Sequence, residues 1–206
     1  MAGGGTMQEI DTKHLTFADY LLSPTITQRY DIIDGEMVMS AAPTMRHQWI
    51  SQNILEALRA YFRTNQRGIG IHAPCDIVIR RDPLRTRQPD LFIFLRGRSN
   101  VSDLQSLMDQ PVLEVVPDLT IEIISRNETR RSRLDKIEDY RCIGVKECWV
   151  VSPQAQTVEV LRLFAEGIHT VGIYGAGMRL HSEILEELEL PVDEVFVMPE
   201  ETLNLV

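Results

Sequence analysis

The chain has no apolar run near the ~20 residues that a helix needs to cross a bilayer, which excludes a helical membrane protein. Its first residues, MAGGGTMQEID, lack the basic and apolar segments of a secretory signal. Their glycines predict a flexible start over residues 1–15, with Met7 a second candidate for initiation. Cysteine is scarce. Cys75, Cys142 and Cys148 are odd in number and form no CxxC pair, which argues against a disulfide framework or zinc site and for free thiols in a reducing cytoplasm. Positive charge is not in excess. A net charge of −9 counts against tight, indiscriminate binding to nucleic acid. From Ser182 onward Lys and Arg are missing altogether while eight acidic residues remain, so residues 199–206 read as an acidic tail. Internal repeats and low-complexity segments are absent too, which removes solenoids and arrays.

What remains is an ordinary soluble composition, 44% hydrophobic and 25% charged, long enough for one domain with a sizeable core. Residues 16–198 are expected to form it. Ahead of the acidic end the charges nearly balance, and the arginines gather in two places. One is IRRDPLRTRQPD, with Arg80, Arg81, Arg85 and Arg87; the other is SRNETRRSRLDK, with Arg126, Arg130, Arg131, Arg133 and Lys136. Solvated surface is the ordinary reading of such clusters, but both adjoin the acids singled out below.

Periodicity predicts a short helix over 16–23, two strands around the Asp34-Gly35 turn in 29–41, and a long helix over 44–65 whose apolar residues recur at helical spacing. Strands are expected over 71–81, 89–95, 118–125, 146–153 and 157–164, with one or two weaker ones in 169–180. A helix over 128–144 ends at Gly144, a C-cap residue, and the acidic end holds a short helix before EVFV. Residues 99–110 give no clear pattern beyond a short helix or an excursion. This order predicts a mixed α/β or α+β domain, one central mixed β-sheet flanked by helices.

Two of the strands carry one acid among apolar residues. Asp90 opens PDLFIFL and Glu122 lies inside TIEIIS. A buried carboxylate is costly without a partner, and an ion pair would explain either acid alone. Two of them on two central strands suggest a shared divalent cation, and Mg²⁺ takes one or two carboxylates plus waters and substrate phosphates. Such a site also calls for a cation near the attacking water. The same-face position two residues after Glu122 is Ile124, so the E-x-K pattern is absent. The next candidate is Lys136 on the following helix, at the edge of an inner stripe read as Leu134, Ile137 and Tyr140.

In YDIIDGEMVMSAAPTMRHQWI, RQPDLFIF, PDLTIEIIS and KIEDYRCIGVKECWVVSP the chain resembles the Uma family of restriction-endonuclease-like proteins, a branch of the PD-(D/E)xK nuclease superfamily. The resemblance spans about residues 16–165 and rests on the order of the motifs rather than on any single one. It implies a restriction-endonuclease-like fold, a Mg²⁺ site on Asp90 and Glu122 (Mn²⁺ able to substitute), a catalytic lysine displaced from strand to helix at Lys136, and an accessory acid at Glu36. This chain departs from the family pattern with SRNE after the Glu122 strand and Ser132 before the lysine.

His47, near the start of the long helix, is a candidate phosphate contact, and Arg130, Arg131 and Arg133 could hold a DNA backbone. Ser125 lacks the G-x-S-x-G setting of a hydrolase nucleophile, and YGAG is no dinucleotide fingerprint. The leading expectation is a cytoplasmic, Mg²⁺-dependent DNA endonuclease, with a homodimer compatible because such nucleases pair to cut two strands. The rival is a nuclease-fold protein without activity that serves as a binding or assembly module. In that case Asp90 and Glu122 would be paired with arginines.

Overall fold

The computed structural model describes residues 14–199 apart from 25, 27, 66–67, 98–112 and 127. In chain order the elements are α1 (Phe17–Leu21), β1 (Tyr30–Ile33), β2 (Glu36–Met39), α2 (Met45–Asn65), β3 (Gly68–His72), β4 (Ile77–Arg81), β5 (Leu84–Arg87), β6 (Leu91–Leu95) and β7 (Leu119–Ile123). They continue with α3 (Arg130–Ile143), β8 (Glu147–Ser152), β9 (Thr157–Phe164), β10 (Gly167–Tyr174), β11 (Arg179–Leu180), β12 (Leu190–Pro191) and α4 (Val192–Phe196). Residues 1–13, the unassigned stretch 99–110 and all of the acidic tail but Pro199 lie outside the described residues. Among the described residues no helix is long and apolar enough to cross a membrane.

The expected central mixed sheet has six strands in the order β10-β9-β8-β7-β6-β3. β7 and β8 pair in parallel, Leu119 opposite Glu147 through Ile123 opposite Val151, and α3 makes the crossover between them, as a parallel pair requires. The other ladders are antiparallel. Strand alternation sorts the core into two layers. Leu91, Ile93, Ile121, Ile123, Trp149 and Val151 join the apolar residues of α2 and α4 on one face. Cys148, Val150, Leu161 and Leu163 meet Ile137 and Tyr140 of α3 on the other. At Gly68 the backbone comes so close to β6 that a Cβ would lie 2.5 Å from the carbonyl oxygen of Phe94.

A second sheet, in the order β2-β1-β5-β4, was not expected. The segment 71–81, read as one strand, is two. β3 pairs with β6 in the central sheet, whereas β4 pairs with β5 in the second. Between them Pro74 has no N–H to donate to a ladder, and the Ala73 N–H is drawn to the Asp90 carbonyl at 3.0 Å. Asp76 then anchors the turn by accepting from Tyr20, from Tyr30 at 2.9 Å and from Gln88 Nε2 at 3.0 Å. Burial raises the Tyr30 phenol to about 12, helped by that carboxylate.

β5 also lies where the sequence suggested surface. All four of its residues, Leu84 to Arg87, are buried. Arg85 and Arg87 project from one side of the strand onto α3. Arg85 Nε lies 2.8 Å from both carboxylate oxygens of Asp139, and Arg87 Nε lies 2.6 Å from Oδ2 of the same residue. Asp135 accepts from both arginines, and Asp31 of β1 accepts from Arg87 at 2.9 Å. The first arginine cluster is therefore mainly an internal clamp between the second sheet and α3. Its exposed members, Arg80 and Arg81, pair with Asp34 and Glu114.

The caps of α3 follow its sequence. Thr129 accepts the Ser132 N–H, and Gly144 takes the left-handed conformation at φ 97° that closes the helix, a position that favours glycine. Leu134, expected on the inner stripe, is 48% exposed. The buried face runs through Ile137 and Tyr140 on one side and Asp139 on the other. The charged clamp displaces the apolar stripe by about one position.

Candidate active site

Leu91 stands opposite Ile121 in the β6–β7 ladder. One step further, the same register sets Asp90 opposite Glu122. Directly opposed residues share a face, with Cβ atoms about 5 Å apart. That face is the one covered by α3, and both acids are buried, at 5% and 2% exposure.

Each acid has its own partners. Asp90 Oδ1 accepts from Arg29 Nη1. Asp90 Oδ2 accepts the Ile123 N–H at 2.7 Å and lies 3.2 Å from His47 Nε2. The neighbouring strand and the first turn of α2 thus fix this carboxylate. Glu122 accepts from Lys136 Nζ at 3.1 Å and from the Tyr140 hydroxyl at 2.5 Å. Lys136 and Tyr140 are four residues apart and so lie on one helix face. Lys136 also reaches Glu128 at 3.1 Å, and Arg133 lies 3.8 Å from that same carboxylate.

The two acids are pushed in opposite directions. Burial raises Asp90, but the His47 hydrogen bond, the Arg29 charge and the Ile123 N–H outweigh it and hold the carboxyl at about 2. Glu122 is raised, first by burial and then by the charges of Asp90 and Glu128, with Lys136 and Tyr140 opposing. Burial also works against the Lys136 ammonium, yet Glu122 and Glu128 hold its pKa above the ordinary value.

Because the folded pKa of Asp90 is depressed, its contribution to stability is present above the unfolded value of 3.8 and is lost as pH falls through about 2. The shift corresponds to about 2 kcal/mol. In acid unfolding curves, the stability gap between wild type and Asp90→Asn is expected to close by about that amount between pH 4 and 2. A gap that does not change with pH in that window would contradict the assignment.

A cleft of about 270 Å³ opens onto the Asp90 side of the pair, lined among others by Arg29, His47, Gln48, His72 and Pro74. Arg29 Nε and His47 Nδ1 are buried there without hydrogen-bond partners among the described residues. On the α3 side, Arg126, Arg130 and Arg131 are exposed.

Of the residues singled out in the sequence, Asp90, Glu122, Lys136 and His47 come together. Arg130 and Arg131 lie exposed at the start of α3, while Arg133 is drawn to Glu128. Glu36 does not join them. It opens β2 opposite Ile33, exposed, at the turn end of a hairpin whose other end leads back to Arg29. Three partners were missed: Arg29, Tyr140 as a hydrogen-bond donor, and Glu128. Tyr140 could have been found from its four-residue spacing to Lys136. Arg29 is 61 residues from Asp90 and carries no local signal.

The donor set suits a hard divalent cation. It offers two carboxylates on adjacent strands, although among the described residues no group of three or more His, Cys, Asp or Glu is placed to hold a metal ion. Mg²⁺ is usually held by one or two carboxylates, with waters and substrate completing its shell. Bringing two acids together in a buried place raises Glu122, and a dication would relieve that repulsion.

No curated protein matches the chain. Among solved structures it resembles one described as a "putative nuclease belonging to DUF820" from Anabaena variabilis ATCC 29413, with a TM-score of 0.73 at 18% identity over 88% of this chain and 97% of that one. At that identity the likeness establishes the fold. The family model of Uma2, described as "Putative restriction endonuclease", matches residues 17–193. A match across nearly the whole described chain settles the family: this protein belongs to Uma2, and it shares its fold with the solved protein described above.

Proposed function

We propose that the chain is a Mg²⁺-dependent endonuclease that hydrolyses DNA phosphodiester bonds. The observation that carries this reading is the pairing of two buried carboxylates on adjacent strands, one of them 3.1 Å from a lysine supplied by the next helix. Asp90 and Glu122 would hold the cation. When bound, Mg²⁺ would neutralise charge on the phosphoryl group and make a coordinated water more acidic. Tyr140 fixes the rotamer of Glu122 by its hydroxyl. Lys136 presents an ammonium that stays charged at neutral pH, so it can orient the attacking water and stabilise charge developing on phosphorus. Arg130 and Arg131 are suited to backbone phosphates, which positions DNA without reading its sequence.

The test is nicking of supercoiled plasmid by the purified protein with Mg²⁺ or Mn²⁺. Relaxed and linear products that vanish on adding chelator are expected. A second reading, a nuclease fold used for binding or assembly, is favoured by one observation: Asp90 already has an arginine and a histidine as partners. No cleavage, together with no Mg²⁺ binding in calorimetry, would establish that reading over the first.

A further inference from the structure

Arg29 reaches the acids from a different part of the fold than their strand and helix α3 neighbours. Asp90, Glu122, Lys136 and Tyr140 belong to the central sheet and α3, whereas Arg29 precedes β1 of the second sheet and reaches across to them. One arm of its guanidinium is on Asp90 Oδ1, and the other donates to the Gln88 carbonyl at 2.5 Å. Its side chain is 22% exposed, against 4% for the carboxylate it covers. It lines the cleft beside His47, and its Nε has no hydrogen-bond partner among the described residues. The residue is therefore held on the cleft side of Asp90, on the oxygen that neither Ile123 nor His47 uses.

The acids already carry cationic partners, Arg29 on Asp90 and Lys136 on both Glu122 and Glu128, with Arg133 near Glu128. A dication added to this set brings further positive charge, which an anionic substrate would offset. Arginine suits both states, because its planar fork fits a carboxylate and a phosphate equally well.

We propose that Arg29 is the resident counter-ion of Asp90: a divalent cation displaces it from Oδ1, and the freed guanidinium binds the backbone phosphate of the nucleic acid in the cleft. This exchange rests on the endonuclease reading above and adds to it a second substrate-binding group and an order of events. Metal and Arg29 compete for one oxygen, and metal binding readies the arginine for phosphate.

Calorimetric titration of Mg²⁺ and Mn²⁺ into wild type, Arg29→Ala and Arg29→Lys tests the competition. Arg29→Ala is expected to bind metal about ten- to a hundredfold more tightly, the range spanned by one hydrogen bond to a charged group. Arg29→Lys is expected to stay near wild type. At saturating metal, Arg29→Ala is expected to nick plasmid at least about tenfold more slowly than wild type, within the same range. Should Arg29→Ala fail to fold, Arg29→Gln removes the charge while keeping a polar side chain able to donate a hydrogen bond. Metal affinity that is unchanged or weaker without the arginine overturns the competition, and undiminished nicking at saturating metal overturns the phosphate role. A failure of all three proteins to bind metal would overturn the endonuclease reading and this inference together. Wild-type binding that does not tighten in the variant overturns this inference alone.

Discussion

Asp90→Asn is expected to nick supercoiled plasmid at least about a hundredfold more slowly than wild type at saturating Mg²⁺, and Lys136→Met to lose a similar factor. The asparagine keeps the shape of the side chain and can still accept the Ile123 N–H, so the β6–β7 pairing survives. What it loses is the charge that Arg29 and His47 hold ionised down to about pH 2. Methionine at 136 keeps the stem that packs beside Ile137 but removes the ammonium 3.1 Å from Glu122. The two losses have different causes and can be separated. Asp90→Asn should weaken metal binding in calorimetry, whereas Lys136→Met should bind metal and fail in the chemical step. Circular dichroism and thermal midpoints establish that both proteins are folded. A rate for Lys136→Met within threefold of wild type would remove the lysine from the mechanism. An undiminished rate for Asp90→Asn would remove the metal site.

The second large effect is on stability, away from the acids. Asp139→Ala takes one carboxylate from two buried guanidiniums at once, those of Arg85 and Arg87, whose side chains are only 10% and 4% exposed. Breaking a buried charge network from one side costs about 3–5 kcal/mol, because the charges left behind cannot regain water. For a domain of this size that loss lowers the thermal midpoint by about 6–20 °C. Asp31 and Asp135 remain to Arg87, so the lower end of the range is the safer expectation. Urea unfolding of wild type and Asp139→Ala measures it directly. A loss below about 1 kcal/mol would mean that the clamp is as weak as a surface ion pair.

Much of this architecture could be read from local pattern. The helices α2 and α3, the cap at Gly144, and strands β6 to β9 all follow from apolar spacing and turn residues. Asp90 and Glu122 stood out because a lone acid in an apolar strand demands a partner. The parts that escaped depend on pairing at a distance. Nothing in residues 71–81 says that the chain leaves one sheet at Pro74 and enters another at Ile77. Arg85 and Arg87 look like solvated charges until Asp139, more than fifty residues later, is folded against them. Arg29 faces the same difficulty. The reading of Leu134 failed for the converse reason: helical spacing finds an apolar stripe, but it cannot know that Asp139 beside it will also be buried, under Arg85 and Arg87.

Helix α3 carries two ladders of four-residue spacing side by side. Lys136 and Tyr140 serve Glu122, while Asp135 and Asp139 hold the second sheet. Neither ladder can shift or rotate without dragging the other, so the helix couples the clamp to the acidic pair. Substitutions in the clamp and in the acidic pair should therefore be epistatic, their combined effects departing from the sum of the separate ones. For the lineage this narrows the routes of change. A new residue at 135 or 139 must suit the lysine and tyrosine one position along, and the arginine strand of the second sheet is thereby kept under the same selection as the acidic pair.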